Sequence, residues 1–190
     1  MENITISNVI YDSFQEYEGE SSLVLFLTGC NFKCPYCHNL PFLNENIMGA
    51  KEAIDNYLRP NHTAVVFLGG EPTMWESLPK LVKYIKDKGL KTKIFTNGQF
   101  PNVLKQCGEY LDAVSIDFKA WSNITKYTGV ESSTAAYMFN IFRCIYWMKD
   151  NNVIIEVRTT KWPGVDYEEI QHIMKYYQPG ITHIIQDYKE

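Results

Sequence analysis

The chain has 190 residues, 45% of them apolar, which is enough for one domain, residues 1–190, with a substantial core. Its net charge of -4, with Lys and Arg spread along the chain and no basic block, argues against nucleic acid as a main partner. Five cysteines, an odd number with three in one cluster, do not make a disulfide framework and point to a reducing compartment.

The first twenty residues are polar and acidic, without the basic stretch and apolar run of a secretory signal. No uncharged apolar run reaches membrane-spanning length, so a cytoplasmic protein with no membrane partner is expected. Short apolar and β-branched runs then recur at Leu23 to Leu27, Ala64 to Leu68, Thr92 to Phe95, Ala113 to Ile116, Ile154 to Thr159 and His183 to Ile185. Continuous runs of this length suit strands buried on both faces. Between them, helical spacing predicts helices over Ala50 to Leu58, Glu76 to Lys88, Pro101 to Glu109, Ala135 to Lys149 and Asp166 to Tyr177. Asp166 with Glu169 forms a capping box, and Gly89 closes the second helix.

Strict alternation implies parallel strands with right-handed crossovers, in a doubly wound sheet or an incomplete barrel. Either arrangement places a ligand site beyond the carboxyl ends of the strands. The polar motifs fall there. Strand one runs into Cys30-Asn-Phe-Lys-Cys34-Pro-Tyr-Cys37-His38, strand two into Gly69-Gly70-Glu71-Pro72-Thr73, and strand three into Thr96-Asn97-Gly98. Strand four leads to Asp117-Phe118-Lys119, and strand five contains Arg158. No Walker A loop, GxSxG elbow or HExxH helix competes, and no repeat or linker divides the chain.

The cysteine spacing carries the chemistry. Three thiolates are one short of the four that close an ordinary iron-sulfur cluster, so a cubane held by CxxxCxxC keeps one iron open to another ligand. Three cysteines and His38 also make up a structural zinc set. Zinc ligands, however, usually come as two separated pairs, and these four lie within nine residues.

CxxxCxxC after strand one, with Tyr36 before the third cysteine, and GGEP after strand two resemble the radical S-adenosylmethionine (SAM) enzymes over nearly the whole chain. The resemblance implies a partial (β/α)6 barrel binding a 4Fe-4S cluster through Cys30, Cys34 and Cys37. The open iron would take the amino and carboxylate groups of SAM, and one electron would cleave SAM to methionine and a 5'-deoxyadenosyl radical. It also implies that Gly69, Gly70 and Glu71 receive the methionine amino group and that Tyr36 lies near the adenine. Cys-Pro-Tyr-Cys-His-Asn, GGEPT, TNG and Asp-x-Lys together are most similar to the activating enzymes of glycyl radical enzymes, above all those of anaerobic ribonucleoside-triphosphate reductase. In that group Asp117 and Lys119 would be near SAM, and His38, Asn97 and Arg158 complete the cofactor-binding candidates. One departure is Phe95, where such enzymes commonly have Asp.

The implied substrate is a glycine Cα-H on a partner reductase, with a flavodoxin-like electron donor. Two alternatives remain at this point: a radical SAM enzyme acting on a small molecule, such as a 7-carboxy-7-deazaguanine synthase, and a metal-binding or electron-transfer module without catalysis. A further expectation concerns Ala135 to Met148, where only Asn140 and Arg143 are strongly polar, a stripe too narrow for an outer helix unless another chain or the C-terminal segment covers it. Replacing Cys30, Cys34 or Cys37 by Ala is expected to abolish iron binding, because two thiolates cannot hold the cubane. Cys107→Ala and Cys144→Ala should keep full iron content, measured per chain after anaerobic reconstitution.

Overall fold

The structure, a computed structural model, describes residues 3–188. In chain order it contains β1 (Thr5–Ser13), β2 (Ser22–Leu27), β3 (Met48–Gly49), α1 (Ala50–Tyr57), β4 (Ala64–Gly69), α2 (Leu78–Asp87), β5 (Lys91–Thr96), α3 (Pro101–Cys107), β6 (Ala113–Asp117), α4 (Ile124–Thr128), α5 (Thr134–Asp150), β7 (Ile154–Lys161), α6 (Tyr167–Tyr177) and β8 (Thr182–Asp187). The strands form a single sheet in the order β3-β1-β2-β4-β5-β6-β7-β8. From β2 to β8 all neighbours are parallel, so their carboxyl ends share one rim.

The predicted strands form because both of their faces are buried. Leu23, Leu25 and Leu27 of β2 join Val65 and Phe67 of β4 in the main core under the helices. Val24 and Val66 alternate onto the other, concave face, together with Ala64, Ala113 and Tyr17. These residues lie near the amino ends of their strands, and Tyr17 comes from the β1–β2 connection. The connection therefore closes the amino-terminal end of the concave face and leaves the opposite rim free for the loops. The sheet does not close on itself, since β3 and β8 are both edges. It is a partial barrel.

Two strands add to the six parallel ones expected from the sequence. β1 pairs antiparallel with β2, and the short β3 pairs antiparallel with β1. β1 reads as a polar leader because its alternation is broken: the register shifts between Ile6 and Asn8, so the consecutive residues Ile6 and Ser7 are both buried. The five-residue α4, between β6 and α5, was also not anticipated.

The expected caps are present. The Asp166 side chain accepts from the Glu169 amide at 2.9 Å, and Gly89 adopts φ +77° after α2. On α5, Phe139 and Tyr146 are each 62% exposed, so no described segment of the chain covers that face. Trp147 is shielded differently: Lys105 and Arg143 sit 4.7 and 4.4 Å from its ring centroid. Among the described residues no helix is long and apolar enough to cross a membrane.

Candidate active site

The cysteine loop is suspended across the rim, tied to the end of one strand after another. The Asn97 side-chain amide after β5 donates to Asn31 Oδ1 at 2.7 Å. The Lys33 amide donates to the Thr128 carbonyl of α4 at 2.7 Å, where Gly129 leaves no room for a side chain beside the Lys33 carbonyl. Tyr36 packs against Trp162 after β7 and His38 against Tyr188 after β8. Asn39 Nδ2 completes the circuit with a 2.9 Å bond to the Gly69 carbonyl of β4.

At β4 the approach is closest. A Cβ on Gly70 would lie 1.7 Å from the Gly29 carbonyl oxygen, and one on Gly69, at φ +103°, would lie 2.7 Å from Phe26 Cα. The two glycines therefore let β4 lie directly against the start of the cysteine loop. Glu71, 1% exposed, is equally internal. Its carboxylate accepts from the Thr73 amide at 2.9 Å, the Thr96 hydroxyl at 2.6 Å, the Asn97 amide at 2.6 Å and the Thr73 hydroxyl. Burial pushes its pKa up against the pull of these hydrogen bonds. Four donors use most of the accepting capacity of a carboxylate.

A cavity of about 590 Å³ opens beneath the loop, and every candidate residue from the sequence borders it: Cys30, Cys34, Tyr36, Cys37, His38, Gly69, Gly70, Glu71, Asn97, Asp117, Lys119 and Arg158. Its apolar wall comes from Phe26, Phe32, Leu68 and Phe95. Lys119 Nζ pairs with Asp117 Oδ2 at 2.7 Å and lies 5.9 Å from the Tyr36 ring centroid. Burial acts to lower its pKa, but Asp117, Tyr36 and Cys34 raise it well above the usual lysine value. Lys93 is likewise matched, to Glu156 at 2.7 Å, with the Ser115 hydroxyl on the same carboxylate oxygen.

Arg158 has no such match. It forms no ion pair among the described residues, its guanidinium bonds the neutral Gln186 side chain, and its Nε is buried without a partner. Its Cζ lies 4.9 Å from the Phe95 centroid, with Lys93 Nζ 5.0 Å from the same ring. Where a carboxylate was expected by resemblance, an aromatic face meets two cations.

Three thiols from one loop at one cavity suit a cluster that keeps an iron open to a further ligand. The Phe32 amide donates to Cys30 Sγ at 3.4 Å, a contact of the kind that tunes cluster thiolates. Burial pushes the Cys30 thiol up to about 12 and also raises Cys34, so these sulfurs ionise readily only against a positive centre. Arg158 Nε and the Tyr36 hydroxyl, on two residues that line the cavity, are buried without a hydrogen-bond partner.

The fold and this rim define a radical SAM protein. The chain belongs to the radical SAM superfamily, whose family model matches residues 24–177, and members use a 4Fe-4S cluster and SAM. It is 34% identical over 191 residues to a Methanocaldococcus jannaschii protein provisionally named a glycyl-radical enzyme activating enzyme, covering 97% of this chain and 80% of that one. It is also 31% identical over 123 residues to the 7-carboxy-7-deazaguanine synthase of the same organism, covering 55% of this chain and 49% of that one. Among solved structures, TYW1 with a lysine-pyruvate adduct bound shares the fold with a TM-score of 0.66 at 16% identity, over 93% of this chain and 68% of that one.

Motif reading did not single out Tyr137. This fully buried α5 side chain accepts from the Lys119 amide at 2.7 Å and donates to the Asp117 carbonyl at 3.3 Å, fixing the Asp-x-Lys backbone. No local pattern marks it, because its partners lie eighteen and twenty residues away. Glu71→Ala is expected to destabilise the metal-free fold by several kcal/mol, since each orphaned buried donor costs roughly 1–3 kcal/mol. Urea unfolding of the metal-free protein measures this; a midpoint equal to wild type would return Glu71 to a purely ligand-binding role.

Proposed function

We propose that this chain is a radical SAM activase in the reducing cytoplasm that abstracts a hydrogen atom from a glycine Cα of anaerobic ribonucleoside-triphosphate reductase. The products would be a glycyl radical on the reductase, 5'-deoxyadenosine and methionine, with the electron drawn from a flavodoxin-like donor. The observation that carries this reading is the 34% identity to the M. jannaschii protein over 97% of the chain. The open flank of the sheet supports it, because an incomplete wall admits a loop of a macromolecular substrate. The whole chain, 1–190, acts as one domain in this reading.

Cys30, Cys34 and Cys37 are assigned as the cluster ligands. The chemistry supplied by the bound pair is one-electron cleavage of SAM to methionine and a hydrogen-abstracting 5'-deoxyadenosyl radical. Arg158, the unmatched cation of the cavity, and Lys119 beside it receive the methionine carboxylate. Asp117 holds Lys119 in place. Tyr36 presents its ring beside Lys119 on the adenine side. Gly69 and Gly70 bring the β4 backbone to the cavity wall, and Glu71, Asn97 and His38 hold the loop more than they hold SAM. Phe26, Leu68 and Phe95 exclude water from the reacting centre.

The second reading, conversion of a small molecule in the manner of the deazaguanine synthase, rests on a match to 55% of the chain. One experiment separates the two. With SAM, a reductant and its cognate reductase, the protein should produce a doublet in the electron paramagnetic resonance spectrum that collapses when the target glycine Cα carries deuterium. SAM cleavage with no radical on any such reductase, but with turnover of a small metabolite, would select the second reading.

A further inference from the structure

Tyr36 and His38, the two neighbours of Cys37, each lie against an aromatic ring from the far end of the sheet. The Tyr36 and Trp162 rings are 5.2 Å apart and tilted by 30°, and His38 stacks on Tyr188 at 5.4 Å and 24°. Trp162 and Tyr188 meet edge to face at 4.7 Å and 86°. Four rings thus form one continuous chain, one link tilted, one stacked and one edge to face.

Its position in the fold gives this chain of rings a purpose. β4, β5 and β6 separate β2, which leads into the cysteine loop, from β7, and no hydrogen-bonded ladder closes the sheet. The rings span that distance at the rim. Neither Trp162 nor Tyr188 borders the cavity, and their ring contacts to its lining are with Tyr36 and His38. Cys37 also needs more support than the other two cysteines. Cys34 is buried, and the Cys30 sulfur accepts the Phe32 amide, whereas half-buried Cys37 has no hydrogen bond to its sulfur among the described residues and is held through its backbone by short-range bonds, its amide donating to the Cys34 carbonyl at 3.1 Å and its carbonyl accepting from the Leu40 amide at 3.4 Å.

We propose that Trp162 and Tyr188 are positioning residues for Cys37, strapping the end of the cysteine loop to the β7–β8 end of the sheet and fixing the third thiol relative to the first two. The proposal rests on the assignment of the three cysteines as cluster ligands.

The test uses Tyr188→Ala and Trp162→Ala, their Phe counterparts, and Tyr177→Ala as a control at an exposed aromatic pair. After anaerobic reconstitution, iron removal by a chelator is expected to run about tenfold faster in each Ala variant at the strap, each of which loses two aromatic pairs. Tyr188→Phe should restore the wild-type rate, Tyr177→Ala should match it, and metal-free Tyr188→Ala, which loses the same aromatic pairs, should melt only a few degrees below wild type. In metal-free protein, trypsin should cut after exposed Lys33 faster in Tyr188→Ala, with cutting after Lys83 of α2 unchanged.

Unchanged iron loss in both Ala variants would overturn the proposal, as would faster iron loss with cutting after Lys33 unchanged. If Trp162→Ala does not fold, Tyr188→Ala at the end of the described chain decides alone. If wild-type protein takes up no iron, the cluster assignment fails separately, and the Lys33 cleavage ratio decides whether the strap orders the loop.

Discussion

Everything at this site depends on how one loop is held. Between Asn31 and Asn39 the chain is tied in turn to the end of β5, to α4 and to the ends of β7, β8 and β4, by amide bonds on one side and aromatic contacts on the other. The three thiols alternate with those ties. A flexible loop would lose much of its affinity for a cluster to the entropy of ordering nine residues, at roughly 1–2 kcal/mol each. Here that ordering is done by the sheet when the chain folds.

The same suspension explains why the family's glycines and glutamate look more structural than their motif suggests. Gly69 and Gly70 let β4 touch the loop, and Glu71 binds the amide of Asn97, whose side chain then holds Asn31. The GGE segment can thus shape the cofactor site through the backbone it positions. Charge is managed separately. Lys93 and Lys119 are ion-paired with carboxylates, whereas Arg158 forms no ion pair among the described residues, its charge acts on Glu156 without direct contact, and it sits beside the Phe95 ring. An anionic group entering the cavity meets that cation in a partly apolar setting, where its attraction is weakly screened.

Much of this was legible in the sequence, for a physical reason. Strands buried on both faces must be continuous apolar runs, so the six parallel strands stand out, and parallel order puts the motifs after them on one rim. β1 did not stand out because its bulge breaks the period, and β3 has two residues. The candidate residues met at one cavity because loop motifs declare themselves locally. The supports did not. Tyr137, Trp162 and Tyr188 look like ordinary core or surface aromatics until folding brings them beside Asp-x-Lys and the cysteine loop.

The central claim is that the loop holds a cluster with one iron left free for SAM. The most direct measurement is the electron paramagnetic resonance spectrum of the anaerobically reconstituted, reduced protein before and after addition of SAM. The account predicts a reduced-cluster signal whose shape changes when SAM binds, in wild-type protein, with no signal once any one of Cys30, Cys34 and Cys37 is replaced. A cluster signal that SAM leaves unchanged, or that survives replacement of one of those cysteines, would contradict it.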